Sequence, residues 1–453
     1  MKDLALLPIT MVVMLAITMR RVEGSWFGPS ALFGLYWSVL LCTTYVFLPD
    51  FTLTFAGVTW IVIAYCALIV GGLLSHARPE DDQVNRVEPV RTREFNELGL
   101  LLLLVLMCSA AAMAAVPVLA AGAGFSAREL TSGNSFILVA GYYSSNRYDD
   151  PSFREPALGI ALYSFAYVGS ILGGRLFVLG RGFLSRMLAL LPLAVAGLLA
   201  LLMTTRALVL LSLLLWASGY MISNVLGGVR ELKIMTVQKL RLFLLFCVVA
   251  VALFIGGQLI RAGGSDRVEK SAIYASVATS FFGSTSTFTT WFSDTSGGQL
   301  PEYGWGTRTF SGPLNWILPG FDRSSIATFE PIVVGGGSTL GEDTTVATLF
   351  RELIYDFTPA GSLLLFVILG SFGARAYRAC LTGGIRRSAG LGTYYFIVLY
   401  SMMGFVYKFT TLVAVSLAFL AYCRYVGARL EYCRGREVAT GFTRARTASR
   451  ASL

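Results

Sequence analysis

Uncharged apolar runs, each long enough to cross a lipid bilayer as a helix, recur from one end of this chain to the other. Crossing the ~30 Å hydrocarbon core takes ~20 helical residues. The pattern therefore predicts an all-α, polytopic integral membrane protein, a single helical domain over residues 1–453 with about eleven transmembrane helices. The predicted spans are 4–19, 24–49, 51–75, 98–121, 156–179, 186–205, 207–227, 242–260, 357–374, 391–407 and 409–426.

The spans at the two ends of the chain need separate arguments. The last two come from one nearly continuous apolar stretch, which as a single helix of ~36 residues would be ~54 Å long. Because that exceeds the thickness of the membrane, we predict that the chain folds back at Tyr407-Lys408. The first span follows Lys2-Asp3 and has no small-residue cleavage site after it, so we interpret it as a retained helix and not a signal peptide.

Composition agrees with a chain dissolved in lipid, at 55% hydrophobic and 14% charged residues with mean hydropathy +0.67. Basic clusters fall on alternate sides of consecutive spans, and the positive-inside bias assigns them to the cytoplasm. This orientation puts the N-terminus outside and the C-terminus in the cytoplasm, and it predicts that Arg175 snorkels to the cytoplasmic edge. The net charge of +10 then reflects the excess of basic residues on the cytoplasmic side, and we expect no nucleic-acid partner. The clusters are Arg20-Arg21, 78–93, Arg181 with Arg186, 230–241, 375–387 and the tail after Cys423.

Cysteine and histidine are placed where they limit the chemistry of the outer side. The seven cysteines lie in predicted spans or on the cytoplasmic side, and the single histidine, His76, is on the cytoplasmic flank. No disulfide framework is expected. A zinc site or a histidine general base on the outer side is excluded.

Two predicted outer segments are longer than turns, 122–155 and the much larger 261–356, which precedes the third-last span. The larger one is too rich in aromatic residues for a solvated linker. We predict short helices that lie on the outer surface and fold over the bundle, where any chemistry takes place. The aromatic residues are Phe281, Phe282, Trp291, Tyr303, Trp305 and Trp316.

Two arginines stand at predicted outer helix ends. Arg206 follows Met203-Thr-Thr at a junction with almost no loop, and Arg261 follows the flexible pair Gly256-Gly257. Each has an ordinary interpretation as an interfacial arginine that snorkels to water. The sharper hypothesis is an anion clamp, because a guanidinium binds phosphate with two parallel hydrogen bonds and keeps its charge.

The densest group of polar residues precedes the span at 357–374. A helix over 344–356 would place Glu352 and Asp356 on one face, with Arg351 and Tyr355 on the adjoining face. Asp343 would cap the start of that helix, a role as plausible for it as a catalytic one. Lys408, alone in the last outer turn, either completes a cationic rim or is simply solvated.

These residue types suit glycosyl transfer from a lipid diphosphate. Arginines stabilise the negative charge that develops on a diphosphate leaving group, and a carboxylate activates an acceptor hydroxyl. Aromatic residues of the loop stack on sugar faces, and the stretch Tyr303-Gly-Trp-Gly-Thr-Arg308 adds Trp305 and Arg308 as substrate-binding candidates. Mg²⁺ held by Glu342 and Asp343 is an alternative with weak support, so we predict no metal and no cofactor.

At these residues the chain resembles the Wzy-type polymerases of O-antigen and other oligosaccharide repeat units. The similarity lies in the junction at 205–207, in Arg261 at the opening of the large loop, and in the block 344–361, where Thr358 replaces a glycine of the family pattern. It extends in order and topology over roughly 160–425. Such polymerases work in the bacterial inner membrane on undecaprenyl-diphosphate-linked oligosaccharides, as donor and acceptor, at the periplasmic face.

The resemblance assigns roles to individual residues. It implies that Arg206 and Arg261 contact the donor diphosphate, that Arg351 and Asp356 lie by the reacting centre, and that Lys408 lies near it. A chain-length regulator is a further partner that it implies.

Three other functions remain as alternatives. An O-antigen ligase has a similar helix count, but that family depends on a histidine in the large loop, and this chain has none there. A lipid-linked oligosaccharide flippase or other transporter predicts charged residues near mid-membrane, where only Arg175 is found. A purely structural scaffold does not explain the large aromatic loop.

Overall fold

The computed structural model describes residues 2–48, 51–76, 97–126, 128–129, 133–149, 153, 155–180, 182–229, 256, 278–295, 303–318, 332–334, 342–344 and 348–451. Within these ranges, nine helices are long and apolar enough to cross a membrane. The prediction of an all-α, polytopic membrane protein is confirmed. These spans are Leu4–Glu23, Pro29–Phe47, Phe55–Ser75, Glu97–Gly122, Ala157–Leu179, Phe183–Met203, Ala207–Leu226, Leu349–Thr382 and Thr410–Cys433.

Fourteen α-helices are present in the described ranges, together with a five-residue π-helical turn at Thr279–Gly283 before α10. In chain order they are α1 (Lys2–Glu23), α2 (Pro29–Phe47), α3 (Phe55–His76), α4 (Glu97–Met113), α5 (Ala115–Gly122), α6 (Gly133–Asp149), α7 (Ala157–Leu179), α8 (Phe183–Met203), α9 (Arg206–Leu226), α10 (Ser284–Thr295), α11 (Ser311–Ile317), α12 (Leu349–Gly383), α13 (Ser388–Tyr400) and α14 (Thr410–Ala451).

Local chemistry explains where two of the spans break. Pro117 lacks an amide hydrogen and its ring clashes with the carbonyl four residues earlier, at Met113, which is where α4 ends and α5 follows. The fold-back predicted at 407–408 is confirmed, but it is wider, because α13 ends at Tyr400 and α14 begins at Thr410. At 13 residues α13 is shorter than the predicted span 391–407. The predicted span 242–260 lies outside the described residues except for Gly256, which is helical.

The helix predicted over 344–356 is wrong at its start. Residues Glu342–Thr344 form a strand that pairs antiparallel with Ile332–Val334, with Asp343 opposite Val333. The backbone of Asp343 therefore belongs to a β-ladder and does not cap a helix. Thr348 is the N-cap of α12, and its side chain accepts a hydrogen bond from the backbone N–H of Arg351.

Helix α12 consists of two helical segments that meet at Thr358, where φ is 67° and ψ is 166°. This left-handed φ is unusual for a β-branched residue, since glycine is the residue that adopts it without strain. The Thr358 hydroxyl accepts a hydrogen bond from the N–H of Gly361 at 3.2 Å, and Pro359 follows it. Thr358 thus caps the second segment, with proline at its favoured first helical position.

Glycines let α12 pack closely against α3. A Cβ added at Gly71 would lie 1.9 Å from the carbonyl oxygen of Val367, and one at Gly370 would lie 1.9 Å from that of Leu68. Small residues at a helix crossing allow this approach of backbones in a membrane bundle. The close contact fixes α12, which carries the polar residues discussed below, against the N-terminal helices.

The guanidinium of Arg175 is buried and paired, and does not extend into solvent as snorkelling predicts. Arg175 lies in α7, and its guanidinium donates to Oε1 of Glu97 at the start of α4, with an Nε–Oε1 distance of 2.9 Å. The hydroxyl of Tyr422 donates to the same oxygen at 3.3 Å. The snorkelling prediction failed because the sequence spacing does not reveal a carboxylate 78 residues away.

Candidate functional site

Four elements meet at one end of the bundle and form a polar cluster, which we call the α12 cluster. They are the first two turns of α12, the turn 401–409, helix α10 and the segment 303–318. The backbone N–H of Leu349 donates to Ser401 O at 2.8 Å, and that of Gly304 donates to Tyr355 O at 3.1 Å. Backbone hydrogen bonds therefore attach both the turn and the segment to the start of α12.

Asp356 organises the segment 303–311. It is fully buried, and its Oδ2 accepts hydrogen bonds from the backbone N–H of Thr309 at 2.6 Å and from the Thr309 hydroxyl at 2.5 Å. Its backbone oxygen accepts from the N–H of Trp305 at 3.0 Å. This geometry gives Asp356 a positioning role toward the segment that carries Trp305 and Arg308, and its contact with a substrate stays a prediction.

Glu352 and Lys408 form an ion pair across the cluster. Nζ of Lys408 lies 2.7 Å from Oε1 of Glu352, and Oε2 accepts a hydrogen bond from the backbone N–H of Phe405. The Glu352 side chain is 3% exposed and that of Lys408 is 22% exposed. A Cβ added at Gly404, where φ is +120°, would lie 2.4 Å from Glu352 Oε1. Glu352 is therefore placed to hold the turn 401–409 and orient Lys408, while Lys408 presents the solvent-facing end of the pair.

Two arginines lie near one aromatic ring. Cζ of Arg308 is 5.2 Å from the centroid of the Tyr355 ring, and Cζ of Arg351 is 5.6 Å from the same centroid. Tyr355 stacks on Trp291 of α10 at 5.2 Å between centroids, and Arg351 lies 5.3 Å from the Trp291 ring. A guanidinium over an aromatic face gains cation–π stabilisation, more so when it is shielded from water. Arg351 is buried, so the stack holds its charge inside the protein.

The α12 cluster contains seven of the nine site residues that the sequence predicted. Arg351, Glu352, Tyr355 and Asp356 on α12 meet Trp305 and Arg308 from the segment and Lys408 from the turn. Arg206 is the first residue of α9, directly after a turn in which Thr204 has a φ of 51°. Arg261 lies outside the described residues. The roles of all nine residues stay predictions.

Sequence reasoning missed three contributors to the cluster. Trp291 was noted as an aromatic loop residue but not as the partner that stacks on Tyr355, and Thr309 carried no signal of its role as the double donor to Asp356. The third is the backbone N–H of Phe405, which no side-chain pattern encodes.

The cluster offers fixed cations and two carboxylates, the chemistry that binds and activates an anionic group. Within the described ranges, no group of three or more His, Cys, Asp or Glu residues is arranged to hold a metal ion. The side chains of Glu342 and Asp343 are not described, and metal independence stays a prediction.

Comparison with known proteins adds no family assignment. No protein-family model, curated protein or solved structure matches the chain. The fold and the cluster define a polytopic all-α membrane protein with a charged site at one end of its bundle.

Proposed function

We propose that this chain is a membrane glycosyltransferase that polymerises undecaprenyl-diphosphate-linked oligosaccharide repeat units at the outer face of the bacterial inner membrane. In this proposal the α12 cluster faces outward, with the N-terminus outside and the C-terminus in the cytoplasm. The donor and the acceptor are both lipid-linked oligosaccharides. The resemblance to Wzy-type polymerases supports the substrate class.

The observation that carries the proposal is the convergence of Arg308 and Arg351 on the ring of Tyr355. Each guanidinium lies within 5.6 Å of the same ring centroid, so their positive potentials add in this part of the cluster and favour an anion there. A diphosphate leaving group gains negative charge as its bond to the sugar breaks, so fixed guanidiniums stabilise the transition state more than the ground state. The chain's own residues thus supply the main electrostatic requirement of the reaction.

The remaining residues of the cluster complete the proposed mechanism. Lys408, oriented by Glu352, adds a third positive charge with access to solvent. Asp356 keeps Arg308 in place through the Thr309 hydrogen bonds. Arg206 and Arg261, at helix ends, are proposed to contact the donor diphosphate, because arginine recognises phosphate bidentately. A chain-length regulator is a partner proposed from the resemblance alone.

The test is a comparison of Arg351→Lys with Arg386→Lys in a strain whose own gene is deleted. Arg351→Lys keeps a positive charge but removes the planar fork, and we expect polymer formation to fall about 100-fold or more. Arg386, half-exposed in an ion pair with Glu431, is the matched control and should leave the chain-length ladder unchanged. Unlike this control, Arg206→Ala and Arg261→Ala should abolish the long chains, so that only single repeat units remain on the lipid while the protein level stays normal.

Three outcomes would count against the proposal. A normal ladder in Arg351→Lys together with normal ladders in Arg206→Ala and Arg261→Ala would reject the polymerase function. Repeat units that accumulate on the cytoplasmic leaflet of the deletion strain would instead favour a flippase. Loss of polymerisation on chelation, with recovery on adding Mg²⁺, would contradict metal independence.

A further inference from the structure

Among the described aromatic side chains of residues 278–318, that of Trp305 is the most exposed. It is 79% exposed, whereas Trp291 is buried and Tyr303 is half-buried. A tryptophan carries a large apolar surface, and folding normally removes most of that surface from water. The indole does not pack against the described part of the chain, so it is available to contact lipid or a bound ligand.

The backbone at Trp305 is strained as well. Its φ is +49°, a left-handed conformation that is a genuine outlier for a bulky side chain. Two hydrogen bonds to α12 hold it there, from the N–H of Gly304 to Tyr355 O and from the N–H of Trp305 to Asp356 O. Strain that the surrounding structure maintains points to a functional position.

The two flanking glycines explain how the turn presents this side chain. A Cβ at Gly304 would lie 2.3 Å from Oδ1 of Asp356, and a Cβ at Gly306, where φ is +88°, would lie 3.1 Å from Cζ of Phe357. The turn thus packs its bare backbone against Asp356 and Phe357. Trp305 is left as the one large side chain between the two glycines, and it faces outward.

We propose that Trp305 is a stacking platform for a sugar ring of the lipid-linked oligosaccharide, an inference that rests on the proposed function. A sugar ring has an apolar C–H face that fits the flat indole. Arg308, which lies over Tyr355, follows three residues later in the same turn. In a lipid-linked oligosaccharide the first sugar is bonded directly to the diphosphate, so the site for that sugar must adjoin the cations that bind the phosphates.

Three variants of Trp305 separate stacking from other roles. Trp305→Gly removes the ring and relieves the positive φ, so it cannot fail to fold because of backbone strain. Trp305→Leu keeps an apolar side chain without a π face, and Trp305→Tyr keeps the aromatic ring. Each is purified as the full chain in lipid nanodiscs, checked for an unchanged thermal unfolding midpoint, and assayed with the single repeat unit on its lipid, extracted from the deletion strain.

We expect the KM for this lipid-linked unit to rise about tenfold in Trp305→Gly and Trp305→Leu and to stay within about threefold in Trp305→Tyr, with kcat changed less than about twofold. A wild-type KM in Trp305→Leu would overturn the platform, because it would make the indole an apolar contact with lipid. A fall in kcat at constant KM in all three variants would also overturn it.

Failure of the platform and failure of the proposed function are distinguishable. If the wild-type protein does not elongate the lipid-linked unit, the proposed function fails and the platform fails with it. If the wild type elongates it, Arg351→Lys does not, and the Trp305 variants share the wild-type KM, only the platform is rejected.

Discussion

Two ion pairs join helices at different places in this molecule, and they differ in how they meet solvent. Glu97 and Arg175 connect α4 with α7 inside the bundle, and the Tyr422 hydroxyl shares the carboxylate. Glu352 and Lys408 connect α12 with the turn 401–409. In the first pair the carboxylate is the more exposed partner, with Glu97 20% and Arg175 6% exposed, whereas in the second it is the cation, with Lys408 22% and Glu352 3% exposed.

The difference separates a structural pair from a pair that belongs to a site. A buried ion pair contributes little net stability, but removal of one partner leaves a charge without compensation in a low dielectric. Glu97 and Arg175 face each other and the Tyr422 hydroxyl, so their role ends within the bundle. Lys408 pairs with Glu352 and donates to Met403 O, and 22% of its side chain is exposed, in a cluster that also contains Arg351 and Asp356. The second pair therefore leaves its cation accessible, whereas the first leaves its carboxylate accessible.

The largest expected effect on stability comes from Glu97→Ala. The variant leaves the Arg175 charge buried without its carboxylate, and we expect a loss of about 3–5 kcal/mol in the free energy of unfolding. Denaturant titration in detergent measures it. Glu431→Ala is the matched control, because its pair with Arg386 is 59% and 55% exposed and should cost less than about 1 kcal/mol. Equal losses in the two variants would contradict the structural role of the buried pair.

A smaller loss of stability and a larger loss of activity are expected from Glu352→Gln. The glutamine amide has only one acceptor oxygen, so either the Lys408 ammonium or the Phe405 N–H loses its acceptor and faces an N–H₂ group. We expect this loss to lower the free energy of unfolding by about 1–3 kcal/mol. Polymer formation per folded molecule should fall at least tenfold, because Lys408 and the turn lose their orientation.

Lys408→Met and Arg175→Met give the corresponding comparison from the cationic side. Lys408→Met should lower activity more than stability, and Arg175→Met should lower stability more than activity. If both substitutions affect the two quantities in the same proportion, the distinction between the pairs is wrong.

The smallest expected effect lies at the kink that follows the second pair. Thr358→Ala keeps the positive φ and loses the hydroxyl cap of Gly361, so the free energy of unfolding should fall by about 1 kcal/mol. Thr358→Gly also loses the cap but relieves the backbone strain, and it should change stability by a few tenths of a kcal/mol, roughly. Thermal unfolding of both variants tests this order, and a less stable glycine variant would show that the kink is not strained.

The sequence was sufficient where a single local rule decides the outcome. Apolar runs of about 20 residues predicted nearly all of the spans, because each must satisfy its backbone hydrogen bonds internally in lipid. The four residues Arg351, Glu352, Tyr355 and Asp356 were grouped correctly, because helical geometry brings residues three and four apart together. The start of their helix was misplaced, because the strand pairing of Asp343 with Val333 depends on a partner from another segment.

What only the tertiary structure decided are the contacts between distant segments. The bond from Thr309 to Asp356 spans 47 residues, and the bond from Lys408 to Glu352 spans 56. Periodicity predicts which residues share a helix face, but it does not predict which other element packs against that face. That packing decides why Trp291 is buried and Trp305 is exposed. The sequence by itself thus determined the membrane helices and the residue types of the site. The folded chain determined which charges are paired, which aromatic residue faces outward and which carboxylate positions its neighbours, because these properties depend on distance in space and not along the chain.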